Sequence, residues 1–184
     1  MPPKAKVTKA MVLDAAFQLV RAQGDSALSV RAVAERLGCS TQPVMYNFAS
    51  IDELRAEVYR TADAFHTSYI LPRPDCLENP LLQLGLNYIR FGAKERNLFR
   101  FLFQSNQFGG ATLQDLMANP ALGPMLQLTT AEAGCTPDEA GEAFALLFIT
   151  AHGMASLLAN NAMEYDENAC SRLLVQAFAN ATGE

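Results

Sequence analysis

Thr41 and Gln42 stand between Ser40 and Pro43, with Tyr46 and Asn47 one turn further on, a set suited to hydrogen bonding rather than to bond breaking. The Gln42 amide donates and accepts at once, which matches the N6 and N7 edge of adenine, and Thr41 offers a methyl for thymine or a hydroxyl for phosphate. Groups that could do covalent or metal chemistry are sparse. His66 and His152 are the only histidines, and neither a glycine-rich phosphate loop nor a Glu-x-x-His metal pair is present. Asp63 and His66 are three apart on one helix face, a pair that reads as a surface hydrogen bond. Cys39, Cys76, Cys135 and Cys170 occur singly, without Cys-x-x-Cys spacing, and read as reduced, mostly buried thiols. The pattern predicts no catalysis, no bound metal and no cofactor.

Two short helices around one tight turn would position the polar set. Ser29 is placed to cap the first, and Val30, Val33, Ala34 and Leu37 fall on one helical face. Gly38 follows, where a helix end favours a left-handed residue without a β-carbon, and Ser40 is placed to cap the second helix through its side chain. Pro43 lies in that helix's first turn, where its missing amide hydrogen costs nothing. Val44 and Phe48 would face inward, leaving Thr41, Gln42, Met45, Tyr46 and Asn47 outward. An earlier helix over residues 8–23, with Met11, Val12, Ala15, Ala16, Leu19 and Val20 inward and Gly24 ending it, completes a three-helix head.

The whole chain reads as all-α, because no segment shows the alternation of a half-buried strand. Ser50 and Glu53 form a capping box before a helix to about residue 68, and the proline-rich stretch 71–80 is a connection. Helices follow at about 80–91 and 95–104, then an irregular region around Gly109, Gly110, Pro120, Gly123 and Pro124 with one or two short helices. Thr136 and Glu139 make a second capping box with Pro137 at the first helical position, opening a helix to about residue 163. Asp166 caps the last one, to about residue 181. The apolar tract 143–159 contains Thr150, His152, Gly153 and Ser156 and lacks basic anchors, which reads as a buried helix rather than a membrane span.

Charge is uneven. Residues 1–60 hold eight Lys and Arg against six acids and residues 61–184 six against thirteen, net +2 and −7, which sum to −5. That fits a head presented to phosphate on an acidic body. Asp14 interrupts the first apolar run, so no signal peptide is expected and the cytoplasm is the expected compartment.

The run Ser29-Val-Arg-Ala-Val-Ala-Glu-Arg-Leu-Gly-Cys-Ser40, with Phe48 and the Ser50-x-x-Glu-Leu54 start of the next helix, resembles the tetracycline-repressor (TetR) family of bacterial transcription factors. The resemblance covers about residues 8–60, and Ala151-His152-Gly153-Met154 is similar to the His-Gly segment of one class of TetR C-terminal domains. It implies a helix-turn-helix DNA-binding domain at 1–50 and a helical effector-binding and dimerisation domain at 51–184. It implies also a repressor released from a pseudo-palindromic operator by a small-molecule effector, working as a homodimer through its two C-terminal helices. On this reading Gln42 and Thr41 meet bases, and Ser29, Ser40, Lys6 and Lys9 meet phosphates.

Two positions depart from the family: Met45 stands where a phosphate-contacting tyrosine is usual, and Ile51 where a lysine is usual. Tyr46, about 100° further around the helix, substitutes only if the helix docks with a different roll. An alternative, a helical interaction module that keeps the head as scaffold without sequence-specific DNA binding, follows from those departures. Among the aromatic and thioether groups of the second half, Phe103, Gln104, Met125, Phe148 and His152 are the expected effector contacts. His152 needs a partner within an apolar helix, and the adjacent Gly153 is expected to admit a close neighbouring helix. Ala140, Ala143, Ala155, Leu158, Leu174 and Phe178 are the expected subunit contacts, or else core.

Overall fold

The computed structural model describes residues 7–72, 79–104, 112–161 and 163–182. Among these all regular elements are helical: α1 (Lys9–Gln23), a 3-10 turn (Asp25–Ala27), α2 (Val30–Arg36), α3 (Thr41–Asn47), α4 (Ile51–Ile70), α5 (Pro80–Lys94), α6 (Arg96–Phe103), α7 (Leu113–Met117), a second 3-10 turn (Pro120–Leu122), α8 (Gly123–Ala133), α9 (Pro137–Asn161) and α10 (Glu167–Thr182). They divide into two compact units, Met1–His66 with Asn97–Ser105, and Thr67–Arg96 with Asn106–Glu184.

In the first unit α1 starts at Thr8, whose hydroxyl accepts from the Met11 amide at 3.3 Å, and stops at Gly24 with φ +89°. Asn97 then donates to the Arg21 carbonyl at 3.0 Å, satisfying one of the acceptors a helix end leaves open. Val12, Ala16, Val20, Val33, Val58 and Ala62 form the solvent-free centre. Met11, expected inside, is 42% exposed, and Phe17 is buried instead, its ring meeting Phe65 edge-on at 5.8 Å. The register of α1 explains the exchange, because five positions along from Val12 the larger ring still falls on the inner arc. α6 completes this core with Leu98, Phe99, Phe101 and Leu102, and the Tyr59 hydroxyl donates to the Leu102 carbonyl at 3.3 Å.

His66 departs from the surface pair that its spacing to Asp63 suggests. Asp63 is exposed while His66 is buried, its ring 5.1 Å from that of Phe103, and burial lowers its pKa to about 4. The three-residue step rotates the two side chains by about 300°, enough at this rim of the helix to put one in water and the other in the core.

The second unit is built around α9, which packs on α5, α8 and α10. Asn79 caps α5 by accepting from Leu82 at 2.9 Å, the Thr136–Glu139 box closes at α9, and Asp166 accepts from Ala169 at 3.0 Å ahead of α10. At Ser50 the box is shifted: Ser50 accepts from Glu53, but the Glu53 carboxylate accepts from Ala49. α8 is a full helix where only short ones were expected. Polar and apolar residues are spread all round it, so no period announces it.

The close approach expected at Gly153 is made by Gly92 instead. A β-carbon on Gly92 would stand 2.7 Å from Ala155 Cβ and 2.8 Å from its carbonyl oxygen, whereas one on Gly153 would meet nothing within 4 Å. Of the two roles open to the small residues of α9, the structure takes the core one. Ala140, Ala143, Ala155 and Leu158, with Leu174 of α10, are buried within the chain, and the exposed stripe is Leu146, Ile149 and Leu157. By length and composition α9 is apolar enough to cross a membrane, a test that core helices of soluble proteins also pass.

Two stability tests follow. Gly92→Val is expected to lower unfolding free energy in urea by about 1–3 kcal/mol, since the added carbons meet backbone; an unchanged midpoint would contradict the packing. The folded state holds His66 neutral down to about pH 4 while the unfolded chain takes up a proton near 6.5. Its contribution is therefore complete above pH 6.5 and lost as pH falls toward 4, a difference of about 3 kcal/mol. His66→Leu should flatten that part of the urea stability–pH profile, and an unaltered profile would refute the assignment.

Candidate functional site

The turn between α2 and α3 is closed by two hydrogen bonds, Gly38 N–H to the Glu35 carbonyl and Cys39 N–H to the Ala34 carbonyl, each 3.0 Å, with Gly38 at φ +64°. This is a Schellman ending, and its left-handed residue redirects the chain at Gly38 into α3. Val44 and Phe48 are 1% and 2% exposed, so the inner side of α3 is fixed. Thr41 and Gln42 are exposed, and Tyr46 is 84% exposed. Gln42 and Tyr46, four apart, share one outward face; Thr41 and Met45 share the next.

Two expectations at this surface change, those for Asn47 and for the Ser40 cap. Asn47 does not point outward: its amide donates to the Pro43 carbonyl at 2.8 Å and the Val7 carbonyl at 3.3 Å, tying the end of α3 to the chain before α1. Ser40 occupies the N-cap position without a side-chain cap bond, whereas Ser29 does cap α2, accepting from Ala32 at 3.1 Å. Lys9 sits 4.8 Å above the Phe48 ring and 3.8 Å from the Glu53 carboxylate, so its ammonium already has partners in the head. Lys6 lies outside the described residues. Of the candidates, Thr41, Gln42 and Tyr46 are brought together on α3 with exposed Ser40 at its N-cap, Ser29 stands exposed at the start of α2, and Lys9 is exposed near the start of α1.

The second unit holds a cavity of about 100 Å³, partly open to solvent, between α5, α9 and α10. Leu84 and Tyr88 line it from α5, Phe144, Phe148 and Ala151 from α9, and Leu174 and Phe178 from α10. The Tyr88 hydroxyl and His152 Nδ1 are 2.9 Å apart. Burial raises the pKa of the tyrosine and lowers that of the histidine, so both are neutral near pH 7. The Phe148 ring lies 5.9 Å from Tyr88 and 5.6 Å from His152.

Phe148 therefore lines the cavity and His152 reaches it through Tyr88. Phe103, Gln104 and Met125 do not line it: Phe103 packs on Phe99 and His66 in the first unit, Gln104 is exposed after α6, and Met125 is half-buried on α8. Tyr88 is the residue that sequence reasoning passed over. A lone hydroxyl inside the apolar face of α5 was the available signal.

Near the same helix a polar network joins three elements. Arg90 binds Glu167 of α10 at 2.7 Å and the Asn87 side chain at 3.0 Å, and Asn87 donates to the Ile70 carbonyl at the end of α4, 3.3 Å away. Among the described residues no group of three or more His, Cys, Asp or Glu is placed to hold a metal ion.

Residues 12–58 match the tetR family of bacterial regulatory proteins, and residues 81–178 match the tetracyclin repressor-like C-terminal domain. No curated protein matches the chain. In structure it is similar to a tetR-family transcriptional regulator from Streptomyces coelicolor, with TM-score 0.69 and 18% identity over 94% of this chain and 79% of that one. A transcriptional regulator from Rhodococcus sp. Rha1 gives 0.63 and 19% over 96% and 97%. A TetR-family member from Streptomyces coelicolor A3 gives 0.59 and 19% over 92% and 96%. At these identities the likeness is one of fold.

Gln42, expected to read a base, and Tyr46, expected to meet phosphate, share one face of α3, and substitution tells the two kinds of contact apart. Gln42→Ala is expected to relax preference at one base position by about 1–3 kcal/mol, while Tyr46→Phe should weaken binding to all sequences alike. Affinities for a set of base-substituted duplexes distinguish them, and an unchanged preference profile for Gln42→Ala would remove its assignment.

Proposed function

The chain belongs to the tetR family of bacterial regulatory proteins and is a DNA-binding transcriptional regulator, not an enzyme; from this we propose that it is a cytoplasmic repressor, released from a pseudo-palindromic operator by a small-molecule effector. The observation that carries this reading is the clamped helix α3, whose buried Val44 and Phe48 leave Thr41, Gln42 and Tyr46 in solvent. Functionally, residues 1–50 are the DNA-binding part and 51–184 the effector-binding and dimerisation part.

The exposed stripe Leu146, Ile149 and Leu157, together with Leu173 of α10, supports pairing with a second copy through the last two helices. Such a dimer reads successive major grooves when its two α3 helices stand about 34–36 Å apart. An effector that prefers another spacing lowers operator affinity by the same factor by which the operator lowers its own. The rival reading, an interaction module without sequence-specific binding, is favoured by Met45 and Ile51, which supply neither a phenol nor an ammonium to phosphate.

Selection of bound fragments from a random DNA library with the purified protein tests the choice. A recovered pseudo-palindrome supports the repressor; binding without sequence preference that vanishes in modest salt supports the rival. Leu157→Asp is expected to convert the dimer to monomer in sedimentation and to weaken operator binding by about a hundredfold or more. A dimer that persists in this variant would place the subunit contact elsewhere.

A further inference from the structure

The lining of the cavity between α5, α9 and α10 is unusual in what it lacks. Among the described residues it carries no ionisable side chain other than Tyr88, and two polar groups. One is Asn79, whose side-chain oxygen is already committed to the Leu82 amide. The other is the Tyr88 hydroxyl, held at 2.9 Å from His152. Arg90, the nearest cation along α5, is drawn to Glu167 and Asn87. A carboxylate or ammonium entering this space would lose its hydration with no opposite charge among the described lining residues to receive it.

Size and shape narrow the occupant further. An apolar cavity of about 150 Å³ accommodates benzene, and this one is of the same order at about 100 Å³. Its walls are aromatic, with Phe144 and Phe148 near parallel at 6.5 Å between ring centroids and Tyr88 edge-on to Phe148. Such walls accept one more ring by offset or edge contact.

We infer that this cavity binds a small uncharged molecule of single-ring size, with one hydrogen-bonding oxygen directed at the Tyr88–His152 pair. This rests on the reading of the chain as an effector-responsive regulator, and it deepens that reading by naming the chemical class of the effector. The site excludes ionised acids, phosphorylated compounds and amines. Ala151, small and on the cavity wall, is the position through which the space can be closed.

The test is titration calorimetry on the full-length protein with phenol, toluene and benzoate, which share a ring and differ in polarity and charge. Phenol and toluene are expected to bind, and benzoate at least about a hundredfold more weakly than phenol. Ala151→Leu should abolish binding of both neutral probes. Tyr88→Phe, which keeps the ring and the packing, should weaken phenol by about fivefold and leave toluene unchanged, so the inference stays testable if Ala151→Leu fails to fold. Benzoate binding as tightly as phenol, absence of binding by both neutral probes, or affinities untouched by either variant would overturn it. Operator affinity measured in the presence of phenol separates the two levels: binding without any change in operator affinity upholds the site and removes its effector role. A response of the operator complex to charged molecules alone, with the cavity empty of neutral probes, removes the site and upholds regulation.

Discussion

α3 is held by Val44 and Phe48, one turn apart and almost fully removed from water, and its outward chemistry follows from that burial. A helix turns about 100° per residue, so fixing two side chains inward fixes where Gln42 and Tyr46 point. Asn47 reinforces the same register from the C-terminal end, and the two hydrogen bonds around Gly38 reinforce it from the other. Burying two such side chains is worth roughly 3–6 kcal/mol relative to exposure, far more than any single cap. A seven-residue helix, too short to persist alone, is thereby presented to a ligand in one orientation.

The second unit solves a different problem with the same means. Gly92 lets α5 approach the backbone of α9 closely, and the alanines of α9 keep that seam thin. With its inner stripe so satisfied, the apolar side chains Leu146, Ile149 and Leu157 on the opposite stripe stand exposed. A helix apolar on both sides is the composition expected of an element with a core on one face and a partner on the other. Between these helices the small residues stop short of filling the space, and the aromatic cavity is what remains.

Much of the fold was legible because its punctuation is local. Thr8, Ser29, Asn79, Thr136 and Asp166 cap helices by bonds to amides three residues on, and such bonds depend on nothing distant. Gly38 was legible for the same reason. What the pattern could not assign was a face. Along α9 nearly every position is apolar, so periodicity cannot tell the core stripe of Ala140, Ala143 and Ala155 from the exposed stripe of Leu146, Ile149 and Leu157. α8 fails in the opposite way, with no stripe at all.

The site divides along the same line. Thr41 and Gln42 were readable because a first turn is exposed whenever the rest of a short helix is clamped. The fate of Lys9 depends on Glu53 and Phe48, more than thirty residues away, and the role of Tyr88 on His152, a contact made only when α5 meets α9.

The central claim is that the start of α2 and the outward face of α3, with Thr41, Gln42 and Tyr46, touch DNA. Amide chemical-shift mapping of the full-length protein with a duplex recovered by selection tests it directly. The account predicts the largest changes at Ser29–Ala32 and at residues 40–46, with α10 unaffected except for small uniform shifts. Changes confined to α9 and α10, with the α3 amides unmoved at saturating duplex, would contradict it.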